Sequence, residues 1–348
     1  MIDHLELLKN KIPFIDLRSP VEFAKGAFPQ SVNLPILNNA ERAEVGKVYK
    51  HHGNTSAVKF GHQLISGEHR ETKIFGWKKF MDNNPSAWMY CMRGGQRSNI
   101  AQDWLANIGL EVPIVTGGYK ALRQTALETL ESVKDDQKRW IVLGGRTGTG
   151  KTVILNQMDS SIDLEGHAKH RGSAFGGYLS DQPTPIDFEN RLAIDYLNHN
   201  HQTLLLEDES RTIGKVGIPS TWFNRMQDSE MVFIKIPLEE RVQNIIDDYI
   251  LTPLGNGISK TDLLLSLRSS LMKIQKRLGG DNFREIRAKM DQAFLDQKNY
   301  RHDTWIKQLL NVYYDPLYDY QIKSKVDQCI YQSDTKGVTE FLSGLDSA

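Results

Sequence analysis

Trp140-Ile141-Val142-Leu143, then Gly145-Arg146-Thr147-Gly148-Thr149-Gly150-Lys151-Thr152, then Val153-Ile154-Leu155-Asn156-Gln157, is an apolar run, a glycine-rich loop and a helical pattern in sequence. The loop fits G-x-x-x-x-G-K-S/T in the strand–loop–helix setting that this motif requires, so the stretch predicts an α/β domain. Backbone N–H groups of such a loop cradle phosphates, its lysine meets the distal phosphate, and the last hydroxyl can ligate Mg²⁺. Gly145, Thr147, Gly148, Gly150, Lys151 and Thr152 are therefore candidate phosphate-binding residues. Leu204-Leu205-Leu206-Glu207-Asp208-Glu209 reads as a partner strand closed by carboxylates. Glu207 and Asp208 are candidate Mg²⁺ ligands or acids; the bland alternative is a strand capped by solvated acids. The loop itself does not distinguish a nucleotide from another polyphosphate.

Outward from this stretch, composition is ordinary. The 348 residues favour two domains, and 39% hydrophobic with 25% charged side chains argues against disorder, collagen or a coiled coil. Net charge is zero, with 16 basic against 13 acidic side chains over residues 1–133, so a nucleic-acid partner would need a local patch. No run approaches the ~18 apolar residues that span a bilayer. Met1-Ile2-Asp3-His4-Leu5 lacks the pattern of a secretory signal, and two cysteines cannot build a disulfide framework. A cytoplasmic protein without a membrane partner is expected.

Toward the N-terminus, Ile12–Leu17, Ala87–Cys91 and Pro113–Val115 read as strands, with helices from Ser98 to Ile108 and from Gly118 towards Leu130. Lys134–Arg139 is charged without apolar periodicity and reads as a linker, giving domains 1–133 and 140–348 around a linker at 134–139. Beyond Thr261 the pattern is mainly helical through Leu310.

Cys91-Met92-Arg93-Gly94-Gly95-Gln96-Arg97-Ser98 lies between a strand and a helix. Inward N–H groups, the helix dipole and two arginines all favour a thiolate there. Cys91 is the candidate catalytic residue, with Arg93, Gly94, Gly95, Arg97 and Ser98 as its anion loop; the alternative is an inert cysteine ending a core strand. Weaker signals are His170 and Arg171, in a cationic loop, and Lys273, Lys276 and Arg277, at i, i+3 and i+4 of a helix. These five are candidate RNA contacts, a merely solvated face being the alternative. Tyr313-Tyr314-Asp315-Pro316-Leu317-Tyr318-Asp319-Tyr320 offers stacking platforms for bases or, more ordinarily, helix-packing tyrosines. His167 and His170 lack a third ligand at suitable spacing, so no structural metal site is expected.

Phe14-Ile15-Asp16-Leu17-Arg18-Ser19-Pro20-Val21-Glu22-Phe23, with Gly26-Ala27-Phe28-Pro29, the Cys91 loop and Thr116-Gly117-Gly118-Tyr119, resembles rhodanese domains in order and spacing. That resemblance implies a cysteine carrying sulfur or selenium as a persulfide or its selenium analogue. Five residues between Cys91 and Arg97, where the commonest sulfurtransferase loop has four, resemble the rhodanese-related phosphatases and suit a tetrahedral phosphate-bearing donor.

A rhodanese-like domain followed by a P-loop domain, with Gly117–Arg123, Asp163–Ser173, Leu206–Arg211 and Tyr313–Pro316, resembles the tRNA 2-selenouridine synthases along essentially the whole chain. The resemblance implies an N-terminal rhodanese-like parallel-sheet domain and a P-loop NTPase-like α/β domain with a mainly helical C-terminal part. It implies a transferase acting on the wobble uridine of the tRNA anticodon region. Geranyl diphosphate would alkylate the 2-thio sulfur, and selenophosphate would then supply selenium at C2. Both are substrates; no tightly bound cofactor is expected, with Mg²⁺ as an optional companion of the P-loop. Two rival classes are an ATP-dependent tRNA sulfurtransferase or kinase-like enzyme with a persulfide-carrying cysteine, and a non-catalytic nucleotide-gated RNA-binding module.

Overall fold

The computed structural model describes residues 3–178, 180–295, 301–323 and 325–346. The helical expectation over 296–300 therefore lies outside the described residues. The chain forms two compact units, Met1–Ser132 with Thr184–Asn198, and Val133–Pro183 with His199–Ala348.

Unit 1 is built on three short parallel strands, β1 (Phe14–Asp16), β2 (Ser31–Asn33) and β3 (Trp88–Tyr90), in the order β2-β1-β3. Phe14 pairs with Ser31 on one side and Trp88 on the other. All three residues of β1 are buried, as a central parallel strand requires. Ile15, Leu17, Met89, Ala101 and Trp104 form the core beneath the sheet. The strand expected at Pro113–Val115 is a single parallel bridge, Met89 to Ile114. Pro113 has no N–H to extend the ladder, and the chain turns at once into the Gly118–Glu131 helix.

The Pro185–Asn198 helix belongs to unit 1 although its sequence lies between two parts of unit 2. It buries Phe188, Leu192 and Ile194, and its polar side chains complete a turn near the N-terminus. Asp187 Oδ1 accepts from Ala27 N at 2.8 Å, and Asn190 Nδ2 donates to Ala27 O at 2.9 Å. Arg123 donates to Asn190 Oδ1 at 2.8 Å and pairs with Glu189. A boundary placed at 134–139 by composition misses this return, because it is made by contacts some 160 residues apart in sequence.

The charged stretch expected to be a linker is fastened to unit 2. Val133 is fully buried, Arg225 donates to the carbonyls of Asp136 and Lys138 at 2.8 Å, and Lys138 Nζ reaches the carbonyls of His199 and His201. Its lack of apolar periodicity reflects anchoring by backbone carbonyls rather than by a hydrophobic face.

Unit 2 has a four-stranded parallel sheet, β4 (Arg139–Gly145), β5 (Thr203–Glu207), β6 (Glu230–Ile234) and β7 (Cys329–Ser333), in the order β5-β4-β6-β7. Central β4 is buried from Trp140 to Gly145 and delivers the glycine-rich loop at its C-terminal end, where ligands of open α/β sheets bind. The helical part has a separate core around Leu267, Leu271, Ile274, Ile286, Met290 and Trp305. Two π-helical turns, Asp247–Leu251 and Leu310–Tyr314, interrupt its helices beside the loop. Among the described residues no helix is long and apolar enough to cross a membrane.

Replacing Asn190, which is fully buried, with alanine leaves the Ala27 carbonyl and an Arg123 N–H unsatisfied. The Asn190→Ala variant is expected to lose about 2–3 kcal/mol from the unfolding transition of unit 1, measured by chemical denaturation.

Candidate active sites

Cys91 follows β3 and is 4% exposed. The Gln96–Ala106 helix starts directly after the loop, with Gly95 at its N-cap, so its N-terminal dipole faces the thiol region. Burial alone would raise the Cys91 thiol. The Ser98 hydroxyl, the Arg93 N–H, the Arg97 charge and the Gly95 N–H outweigh it and hold the thiol below its ordinary value.

The loop keeps its shape by backbone contact with a second turn. The carbonyls of Cys91 and Met92 accept from Tyr119 N and Lys120 N at 2.9 and 3.0 Å. Gly94 and Gly118 both have φ of 59°. A Cβ on Gly118 would lie 2.3 Å from Cys91 O, and one on Gly94 would lie 2.4 Å from Val115 O. No side chain fits at either position without moving backbone. Arg97 is oriented by Glu22, at 2.8 Å and 3.3 Å, and Arg42 pairs with the same carboxylate at 3.0 Å. Glu22 also closes the cap of its own short helix through Ser19 N and Oγ. Burial opposes its charge, but the Arg97, Ser19 and Arg42 contacts hold its carboxyl down at about 2. Sequence reasoning quoted Glu22 as part of a motif without seeing that it positions Arg97; no local spacing links residues 75 apart.

In unit 2, Lys151 Nζ rests on the Gly145 carbonyl at 2.9 Å, at the mouth of a pocket of about 380 Å³. Gly145, Thr147, Gly148, Gly150, Lys151 and Thr152 all line this pocket. The loop is clamped from behind: Arg241 Nε donates to Thr147 O at 3.0 Å and Asn244 Nδ2 to Gly148 O at 2.8 Å. Arg241 is held in turn by Asp315, at 2.7 and 3.0 Å, while Arg146 pairs with Asp319 at 2.6 Å. Asp315 and Asp319 thus fasten the loop, a role hidden in the tyrosine-rich segment. Tyr314 and Tyr318 wall the pocket, while Tyr320 is exposed.

The two acids singled out from sequence part company. Glu207 is fully buried, accepts from Leu164 N at 3.3 Å, and is absent from the pocket lining. Burial first, then the charges of Asp163 and Glu165, push its carboxyl well above the usual range. Asp208 lines the pocket and pairs with Lys325 at 2.6 Å. The carboxyls facing the loop are instead Glu165 and Glu209, both raised, chiefly by burial. Thr152 Oγ1 donates to Glu165 Oε2 at 3.1 Å. Such oxygen donors fit Mg²⁺ shared with a polyphosphate. Among the described residues no cluster of three His, Cys, Asp or Glu side chains would hold an ion unaided.

Of the candidate RNA contacts, Arg171 and Arg277 line the same pocket. Arg171 lies 4.7 Å over the Tyr249 ring and donates to Asp248 O. His170 is half-buried; burial, then the charges of Lys273 and Arg171, hold it below its ordinary value. Lys273, Lys276 and Arg277 stand on the exposed face of the Lys260–Leu278 helix. Arg284 and Lys289 pair with Asp281 and Glu285, and Arg268 and Arg287 share Asp291, so Lys273, Lys276 and Arg277 are the less compensated part of the stripe.

An acidified thiol beside one glycine-rich loop and a lysine in another mark two candidate sites, one in each unit. The rhodanese-like domain model matches residues 2–125, and the model of the tRNA 2-selenouridine synthase AAA domain matches 138–347. The tRNA 2-selenouridine synthase of Hydrogenovibrio crunogenus is 44% identical over 97% of this chain and 96% of its own length. Those of Marinobacter nauticus and Pseudomonas fluorescens are 41% and 42% identical over 97% and 98% of this chain and 96% of their own lengths. The chain belongs to the tRNA 2-selenouridine synthase family.

Because the Glu22 carboxyl is depressed from 4.5 to about 2, its stabilisation is fully present above pH 4.5 and is lost as pH falls towards 2. Glu22→Gln is expected to be less stable at neutral pH by on the order of 2 kcal/mol, with the difference from wild type shrinking across that window. Denaturant midpoints measured for both proteins from pH 7 down to 2.5 test this, and a constant difference would refute it.

Proposed function

We propose that this enzyme exchanges the sulfur of 2-thiouridine at the tRNA wobble position for selenium, in the cytoplasm, by two successive transfers. The observation that carries the reading is two concave anion loops in one chain, one around an acidified thiol and the other around Lys151. No tightly bound cofactor is required.

In the first transfer the 2-thio sulfur donates an electron pair to C1 of geranyl diphosphate. The C1–O bond breaks, diphosphate leaves with its pair, and the base loses its N3 proton. Preorganised N–H groups of Gly145–Thr152 and the Lys151 ammonium stabilise the departing charge. Mg²⁺, held by Thr152 and Glu165, would add charge neutralisation when bound. Alkylation makes C2 electrophilic and gives sulfur a way to leave as a thiol.

In the second transfer the phosphate of selenophosphate sits in the Cys91 loop, whose five residues between Cys91 and Arg97 suit a tetrahedral anion. The Cys91 thiolate attacks phosphorus, and the S–P bond forms as the Se–P electrons leave on selenium. The released hydroselenide attacks C2 and forms the C–Se bond, the C2–S bond breaks, and sulfur departs as geranylthiol with a proton. Water then cleaves the S–P bond to give phosphate and the free thiol. In this reading Arg93 and Arg97 hold the anions, and His170, Arg171, Lys273, Lys276 and Arg277 contact the anticodon region.

The Lys151 pocket with its facing carboxyls also favours one rival, an ATP-dependent sulfurtransferase. Nucleoside mass spectrometry on thiolated tRNA, given geranyl diphosphate and then selenophosphate, separates the two. The geranyl mass shift followed by sulfur-to-selenium exchange is expected. Absence of both, with tRNA-stimulated ATP hydrolysis that Lys151→Ala abolishes, establishes the rival.

Cys91→Ser is expected to geranylate normally and stop there, with selenium incorporation down by about 10³-fold or more. Selenated product at the wild-type rate would remove Cys91 from the reaction. Lys151→Ala is expected to slow geranylation by about 10²–10³-fold, and an unchanged rate would show that the diphosphate binds elsewhere.

A further inference from the structure

The Asn39–Leu64 segment is a 26-residue helix that buries only Glu41 and Ala57. A helix of that length ordinarily covers a core with a continuous apolar stripe. This one folds instead into two limbs at Gly53, whose φ of 76° and ψ of −178° break the helix. The limbs face each other: a Cβ on Gly61 would stand 3.9 Å from Val45 Cγ2. Between them and the Gln96–Ala106 helix lies a cavity of about 530 Å³, walled by Val45, Ala57, Val58, Ile100 and Trp104. That size is typical of a small-molecule site, about 300–1,000 Å³. Its polar end is the Cys91 loop itself, through Arg93, Gln96 and Arg97, with Arg42 beside them.

An occupant of this cavity must be aliphatic over most of its length and must present its other end to the thiol loop. Arg93 at that end, beside the Arg42 and Arg97 pairs with Glu22, favours an occupant attached to an anion such as an RNA backbone. Resting on the two-transfer reading above, we infer that the cavity holds the C10 isoprenoid chain of the S-geranylated uridine during selenium transfer. The chain seated between the limbs sets C2 of the base at the Cys91 loop, where hydroselenide is released. When the C2–S bond breaks, the cavity keeps the geranylthiol out of water until it dissociates. The geranyl group is then a handle that admits to the Cys91 loop only the base that has completed the first transfer.

The test uses the full-length protein with selenophosphate and anticodon stem-loops carrying either S-geranyl- or S-methyl-2-thiouridine. A buried methylene-sized group contributes about fourfold in affinity, so wild type is expected to prefer the geranyl RNA by at least about a hundredfold in kcat/KM. Val45 and Val58 are half-buried, so a carboxylate is tolerated there by the fold. Val45→Glu and Val58→Glu are each expected to cut the preference by about tenfold or more, chiefly through KM, while Val45→Ile retains it. On wild type, geranyl RNA and not methyl RNA is expected to slow hydrogen exchange over residues 42–61. A preference near one, a preference that survives both glutamate variants, or equal protection by the two RNAs would overturn the inference and leave the two-transfer reading standing. Failure of wild type to selenate the geranyl RNA at all would overturn both.

Discussion

A loop that turns its N–H groups inward around an anion has to give its carbonyls to something on the outside, because a buried carbonyl without a partner costs about as much as the hydrogen bond it lacks. Both anion loops meet this constraint by different means. Behind the Cys91 loop the donors are backbone, Tyr119 N and Lys120 N at the start of the Gly118–Glu131 helix. Behind the phosphate loop they are side chains, Lys151 on Gly145 O, Arg241 on Thr147 O and Asn244 on Gly148 O. Backbone donors demand a closer approach than side chains do, which is why Gly94 and Gly118 meet where no Cβ fits.

The same supports set the charge of each site. Arg97 is bound to Glu22, and Arg241 and Arg146 to Asp315 and Asp319, so these arginines orient their loops while their charge is largely balanced. What remains to act on a ligand differs between the two. In unit 1 it is a helix N-terminus and an acidified thiol, a nucleophile in a positive field. In unit 2 it is a lysine facing carboxyls that burial keeps raised.

What could be read from sequence was what is local. Gly145–Thr152 and Cys91–Ser98 are each contiguous, and the strands before them are short apolar runs that burial on both faces makes conspicuous. What could not be read depends on distant partners. Glu22 and Arg241 act across long gaps in the chain; Glu207 reads from sequence as a Mg²⁺ ligand or acid because nothing in Leu-Leu-Leu-Glu shows that the strand's last residue is still fully buried. Pro113–Val115 has strand composition but a proline where a ladder bond is needed. The two-limbed Asn39–Leu64 helix has no single apolar stripe because the break at Gly53 resets its helical phase.

The inserted helix has the widest consequence. Because Pro185–Asn198 completes unit 1, the chain passes between the two units three times, after Ser132, after Pro183 and after Asn198. Unit 1 is therefore unfinished until residue 198 is made, by which point the strand and loop that bear Lys151 have also been made. A fragment ending at the charged stretch would leave Ala27 and Arg123 without their partners on the Pro185–Asn198 helix. The Gly118–Glu131 helix, which carries Arg123, supplies the N–H groups behind the Cys91 loop, so the geometry of the thiol site depends on residues inserted in the other unit's sequence. Two modules tied in this way cannot be traded separately, as modules joined by a single tether can.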